Sequence, residues 1–429
     1  MATFSAALGH VKQHVERCLP QECVCQICAE IGYRWRERQL GPALTIHLVV
    51  LQLLAKVALR GLRRVAGIPV SAQAICAAKM RLPVRLFFKL VERSVPRGLS
   101  AQDLYKQWKV YLADGTGFMT PDSPELARRY GKSKNQAGPA YGYPTPKLLA
   151  LAQAGGGFIA KTVLLPYGRQ EFACLSRLFK ALEPRSLLLG DRGLVSFAHL
   201  ALLTARGVAG CFRLPRWQVV FGRGTGSRRL GKRLGKQDLL VSWTASRRPK
   251  WLSKRRWADI ETRVLTLRQI SFRICRKGYR THWAWIVTTL LDPQEYPAQE
   301  LVELYGRRWA IEVQFRDLKR TLNMAKVSTK TAAGVRKEVL AFILLYNLVR
   351  TVICEAAGRQ GVPPDRVSFI DAARWLLYST PGTPLAELVV NPRRTRDAQP
   401  RKVKTGRRRY SHLKRPRAEL CKPPCEVRL

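Results

Sequence analysis

Apolar and polar positions change period along this chain, and each change marks an element. Up to about residue 95 the pattern is helical: Leu40-Gly-Pro-Ala-Leu-Thr-Ile-His-Leu-Val-Val-Leu-Gln-Leu-Leu54 repeats apolar residues three and four apart between basic stretches. A small N-terminal helical domain, residues 1–95, is expected there. Short apolar runs then take over. Trp108-Lys-Val-Tyr-Leu-Ala-Asp114 reads as a strand delivering an aspartate at its end, and residues 147–153 and 158–165 flank Gly155-Gly-Gly157 as the strands of a hairpin. After a helical stretch over 170–182, Ser186-Leu-Leu-Leu-Gly-Asp191 is a second buried strand ending in an aspartate. A helix over 196–206 and a strand over 208–214 follow. Strands mixed with helices predict an α/β core, and polar residues at strand ends are where such cores put their chemistry, although most aspartates there only cap the next element.

Between residues 215 and 280 the texture changes. Arg and Lys are dense, Gly222-Arg-Gly-Thr-Gly226 supplies turns, and Trp217, Trp243, Trp251 and Trp257 interleave with the charge. A β-rich basic insertion is expected, with a surface suited to nucleic-acid backbone and stacking contacts; equally, the tryptophans fill its own small core. Strand character returns at 283–291 and a helical region runs to 357. The expected organisation is therefore a core in two parts, 96–214 and 281–357, interrupted by the insertion 215–280. A C-terminal helical region and basic tail fill 358–429.

Within the second part of the core, Glu303-Leu-Tyr-Gly-Arg-Arg-Trp-Ala-Ile-Glu-Val-Gln-Phe-Arg-Asp-Leu-Lys319 places Arg308, Glu312 and Lys319 three, seven and fourteen residues after Tyr305. On an α-helix those offsets put the four side chains within about 60° of one another. Arg316 falls on the same polar stripe. Leu304, Ile311, Phe315, Leu318 and Leu322 form an apolar stripe on its flank, so Glu312 is expected at the edge of a packed core rather than on a merely solvated face.

Composition narrows the partner. Lys and Arg number 76 against 29 acids, a net charge of +47 with a pI near 10.8. Such a surface calls for a polyanion, DNA or RNA, and a non-catalytic nucleic-acid binder would share it. At 429 residues and 46% hydrophobic content the chain can bury a large core. No basic-then-apolar secretory start is apparent, and the most apolar stretches, 43–59 and 339–354, are interrupted by polar residues and read as buried helices, so no membrane partner is expected. Eleven cysteines then suggest free thiols in a reducing, cytoplasmic setting. Cys18, Cys23, Cys25 and Cys28 near His14, and Cys421 with Cys425, lack finger-like spacing and read as small hydrophobes before zinc ligands. Gly131-Lys132-Ser133 lacks the upstream glycine of a phosphate loop, where Leu126 stands.

What remains is a set of carboxylates in an acid-poor protein: Asp114, Asp191 and Glu312. Three carboxylates brought together repel unless cations lie between them, and Mg²⁺ or Mn²⁺ prefer such oxygen ligands. Two such ions can stabilise both the attacking and the leaving oxygen of an in-line phosphoryl transfer. Spacing alone does not establish that the three meet.

From about residue 20 to 355 the chain resembles the DDE transposases of the insertion-sequence-4 type, with their Tn5-like relatives. The resemblance is carried by Asp114-Gly-Thr116, by Asp191-Arg-Gly193, by Thr288-Thr-Leu-Leu-Asp-Pro293 with Tyr296-Pro-Ala, and by Tyr305, Arg308, Glu312 and Lys319, which meet the Tyr-x2-Arg-x3-Glu-x6-Lys signature in full. It implies a ribonuclease H-like catalytic core with a β-rich insertion and an N-terminal helical domain. It implies that Asp114, Asp191 and Glu312 are catalytic and bind two divalent cations, Mg²⁺ or Mn²⁺. Tyr305, Arg308 and Lys319, with Arg316 beside them, would hold phosphates of double-stranded DNA. The implied activity is metal-dependent cleavage at terminal inverted repeats and strand transfer to target DNA by a homodimer near the bacterial nucleoid. A flipped base stacked on Trp243, Trp251 or Trp257 is implied too. Leu194 departs from the aromatic residue many relatives carry after Asp-Arg-Gly. A nuclease on the same scaffold that does not transpose is the alternative within enzymes.

Overall fold

The computed structural model describes residues 20–391 apart from 37, 97, 99–102, 135–139, 246, 259, 261, 276–281, 379–384 and 386. Cys18, His14 and the tail with Cys421 and Cys425 lie outside the described residues. The described residues divide into two compact units, 20–182 with Trp309–Asn391, and Glu183–Arg308. These divisions cut across the expected segments, because contacts group elements that are distant in sequence.

In the first unit the expected helices form at Gln21–Glu30, Pro42–Ala55, Leu59–Ala66, Ala72–Arg81 and Val84–Arg93. They do not stand apart as a separate body. Val84–Arg93 buries Leu86, Phe87, Leu90 and Val91 and packs on the long helix Ala332–Arg359, which also packs on Pro42–Ala55. The Lys337 ammonium on that long helix donates to the carbonyls of Met80 (2.7 Å) and Lys79 (3.4 Å), satisfying the C-terminal end of Ala72–Arg81. Ala332–Arg359 is long and apolar enough to cross a membrane, but 83% of its apolar window is buried inside the protein, the profile of a core helix.

Beside these helices lie β1 (Leu104–Tyr105), β2 (Trp108–Gly117), β3 (Lys132–Lys134), β4 (Ala140–Pro144), β5 (Lys147–Gln153) and β6 (Ile159–Leu165). β2, β5 and β6 pair antiparallel in that order, while β3 and β4 pair with each other. The predicted hairpin at Gly155–Gly157 is held from two sides. Asp103 Oδ1 accepts from Gly155 N and Gly156 N at 2.9 and 2.8 Å, and Arg350 Nε donates to Gly156 O at 2.7 Å. Gly157 has φ +74°, and a Cβ there would lie 3.0 Å from Arg350 Nε, so both conformation and space require glycine. Asn347 serves Ile159 as a strand neighbour would, accepting from its N–H at 3.0 Å and donating to its C=O at 3.1 Å.

The strands of the second unit are β7 (Ser186–Gly190), β8 (Ala209–Arg213), β9 (Gly224–Thr225), β10 (Arg228–Gly235), β11 (Asp238–Thr244), β12 (Val264–Ile274) and β13 (His282–Thr288). β7 and β8 run parallel, joined through the helix Phe197–Thr204, and every other pair is antiparallel. The fold is mixed α/β, with mostly antiparallel sheet. β12 pairs with β13 and β13 with β8, so the strands of segment 215–280 extend this sheet. Arg268, fully buried in β12, pins it: Nε and Nη2 grip both oxygens of Asp238 on β11, and Nη1 donates to Tyr296 O at 2.6 Å and Asp292 O at 3.3 Å. The loop that opens the next helix is thereby tied to the sheet.

Candidate active site

The predicted site residues divide between the two units. In the first, β2 runs through the buried residues Val110 to Ala113 and presents Asp114 half-buried. The strand continues to Gly117, because Asp114 to Gly117 still find partners on β5; the aspartate lies inside the strand rather than at its end. Asp114 Oδ1 accepts from Gly115 N at 2.8 Å. Gly115 carries no Cβ for a direct reason: the Glu171 carboxylate occupies that space.

Glu312 lies on the helix Ala310–Arg316, which packs on β2 and so brings the glutamate's element onto the strand of Asp114. The adjoining apolar stripe is as expected, with Leu304, Ile311, Phe315, Leu318 and Leu322 all buried, and Glu312 half-buried at its edge. Lys319 Nζ donates to Thr116 Oγ1 at 3.2 Å. Thr116 shares a strand face with Asp114 two residues earlier, so Lys319 is moored beside that aspartate. Arg316 is exposed and paired at 3.7 Å with Asp317, whose carboxyl is pushed up by burial and held back by Arg316 and Arg350.

The polar stripe does not run along one uniform helix. Ala298–Gly306 is α-helical, Arg307–Trp309 is a tighter 3-10 turn, and Asp317–Thr321 is a wider π turn. These depart from the α-helical advance in opposite senses. Tyr305 and Arg308 lie in the second unit, Glu312 and Lys319 in the first.

In the second unit the fully buried β7 delivers Asp191 directly after its last residue, half-buried, with Leu194 N closing a turn onto Asp191 O at 2.9 Å. Gly190 before it lies under the Phe212 ring, which fills the place of a Cβ. Tyr305 is buried and its hydroxyl has no hydrogen-bond partner among the described residues. Burial pushes its phenol well above the usual range; Arg308 and Arg213 pull it down, and Asp191 and Cys211 push it up. Asp191, Tyr305, Arg308 and Arg213 are therefore electrostatic neighbours. In the sequence Arg213 is marked only as a cation at the end of a short apolar strand. Thr116 is likewise marked in the sequence only by its place in Asp114-Gly-Thr116.

The candidate tryptophans separate. Trp243 is 1% exposed and belongs to the sheet's core, so it offers no face to a base. Trp251 stacks on the buried His199 at 4.4 Å, and Trp257 meets Phe197 edge-on at 6.4 Å beneath Arg263. The exposed indole of this segment is Trp217, at 74%. Arg228 lies over both Trp217 and Trp243, with centroid distances of 5.5 and 4.7 Å.

The carboxylates of Asp114, Asp191 and Glu312 are oxygen donors of the kind hard divalent cations take. Among the described residues no three His, Cys, Asp or Glu side chains are already placed around one ion position.

The model of the Transposase DDE domain matches residues 107–348. The chain belongs to the DDE transposase family. The matched stretch contains Asp114, Asp191, Tyr305, Arg308, Glu312 and Lys319 in order. The chain is 27% identical over 310 residues to the transposase InsG for insertion sequence element IS4 of Escherichia coli (strain K12), covering 68% of this chain and 66% of that one. It is 26% identical over 150 residues to the putative transposase InsZ of the same organism, covering 34% of this chain and 50% of the other. It thus spans just under two thirds of the first relative and half of the second. Among solved structures, a piggyBac transposase synaptic complex with hairpin DNA aligns over 85% of this chain and 78% of that one, with a TM-score of 0.45 and 10% identity.

Proposed function

We propose that this chain is a DNA transposase of the insertion-sequence-4 type that cleaves DNA at terminal inverted repeats and joins the released ends to target DNA. The observation that carries the reading is the family match over 107–348 with all three acids and the full signature inside it. Asp114, Asp191 and Glu312 are the catalytic acids, and together they would hold two divalent cations, Mg²⁺ or Mn²⁺. When bound, such ions supply charge neutralisation at the attacking and leaving oxygens. The acids belong to a ribonuclease H-like core, and the enzyme works as a homodimer that pairs two ends on nucleoid DNA.

The chain's own residues do the rest. Tyr305 keeps its proton and donates it in a hydrogen bond to a phosphate oxygen, meeting the partner its hydroxyl lacks. Arg308 and Arg213 neutralise that phosphate beside it. Lys319, held by Thr116, contacts a phosphate next to Asp114. Arg316, already paired with Asp317, contributes from the solvent side.

The test is an end-cleavage and strand-transfer assay in Mg²⁺ with Asp114→Ala, Asp191→Ala and Glu312→Ala. Each should abolish cutting while leaving DNA binding in place. Intact cutting by any one of them removes that acid from the site, and cutting without joining by the unmodified protein would make it a nuclease.

A further inference from the structure

The N-terminal helices precede the matched stretch 107–348 and carry a feature that the catalytic reading does not use. Between Gln21–Glu30 and Pro42–Ala55 the chain alternates aromatic and basic residues, Tyr33-Arg34-Trp35-Arg36, with Glu37 and then Arg38 following. The two aromatic residues and three arginines, with Arg81 from the end of Ala72–Arg81, line a cleft of about 360 Å³ over an apolar floor that includes Leu40 and Leu82. The size is that of a small-ligand pocket.

Two observations say what the cleft is for. Arg34, Arg36, Arg38 and Arg81 are exposed, and among the described residues no lining residue is acidic and none of the four has an ion-pair partner. Four like charges around one hollow repel one another, and a polyanion relieves that repulsion. The Tyr33 and Trp35 rings stack, centroids 6.3 Å apart and planes 22° from parallel, with Trp35 still 38% exposed. A rigid indole held at the mouth of a cationic cleft is a platform for another flat ring. In duplex DNA the bases are stacked inside and cannot reach such a surface, whereas an unpaired strand presents base faces and phosphates together.

We propose that this cleft binds an unpaired stretch of DNA, its phosphates on Arg34, Arg36, Arg38 and Arg81 and a base stacked on Trp35. The inference rests on the DNA-processing reading and adds a single-strand subsite outside the catalytic acids.

Fluorescence anisotropy of the full-length protein with a labelled oligothymidine of about 15 nucleotides, and with a duplex of equal length, tests it. Trp35→Ala should weaken single-strand binding by roughly 5- to 100-fold and leave duplex binding unchanged, while Trp35→Phe keeps most of the affinity. The triple variant Arg34→Ala, Arg36→Ala, Arg38→Ala should lower the single-strand salt slope by about 2, from three lost phosphate contacts. Unchanged single-strand affinity in Trp35→Ala, equal losses on strand and duplex, or an unchanged salt slope in the triple variant would each overturn the proposal. Duplex-end cutting measured alongside separates the two readings. Strand binding indifferent to the cleft while cutting persists defeats only this subsite; cleft-dependent strand binding by a protein that cannot cut defeats only the catalytic reading.

Discussion

Tyr305→Phe should make the protein more stable and a worse enzyme. The Tyr305 hydroxyl is buried and donates to nothing among the described residues, an unmet polar group that costs about 1–3 kcal/mol. Phenylalanine keeps the ring and removes that cost, so equilibrium unfolding in urea should show a gain of about 1 kcal/mol. The same hydroxyl, bonded to a charged phosphate, is worth about 1.5–3 kcal/mol, and its loss should slow single-turnover end cleavage by roughly 10- to 150-fold. The phenol stays protonated over any ordinary assay range, because burial raises it beyond what Arg308 and Arg213 take back. The cleavage profile should therefore have no alkaline limb from Tyr305 below about pH 10. The linkage has a definite sign. With the folded phenol raised, its contribution to stability is complete below the unfolded value and declines as pH rises past about 10, and Phe removes that decline. A Tyr305→Phe variant that unfolds more easily, or cuts at the unmodified rate, would show that the hydroxyl is not waiting for a phosphate.

Other consequences concern the scaffold and the contacts. Asp238→Asn leaves the fully buried Arg268 without its carboxylate and should cost about 3–5 kcal/mol by chemical denaturation; a loss below about 1 kcal/mol would mean that the pair does not hold the loop 292–296. His199 is buried, and burial lowers its imidazole to about 3. The unfolded chain therefore takes up a proton that the folded one refuses, and stability should fall as pH drops from about 6.5 toward 3, with a slope near 1.4 kcal/mol per pH unit that His199→Phe flattens. Lys319→Ala should reduce the salt slope of duplex binding by about 0.9; an unchanged slope would leave Lys319 a partner of Thr116 and nothing more.

Much of the local structure was legible because it depends on neighbours along the chain. The buried run before Asp114, the hairpin at Gly155–Gly157 and the stripe of Leu304, Ile311, Phe315, Leu318 and Leu322 follow from period and turn chemistry. The order Asp114, Asp191, Glu312 and the signature around it carried the family. The uniform helix assumed for that signature did not form, since the turns at Arg307–Trp309 and Asp317–Thr321 answer to packing that the 3.6-residue period does not encode.

The sequence by itself determined most of the local helix and strand pattern, a net charge suited to a polyanion, and which acids are proposed as the catalytic set. Tertiary structure alone decided what each polar group experiences. It buried Trp243 and left Trp217 in solvent, gave Arg268 its carboxylate, withheld a partner from Tyr305, and gathered Arg81 with the arginines of 34–38 around one cleft. Periodicity is a property of a few consecutive residues, whereas desolvation and pairing are sums over everything that surrounds a side chain, and those surroundings come from distant parts of the chain.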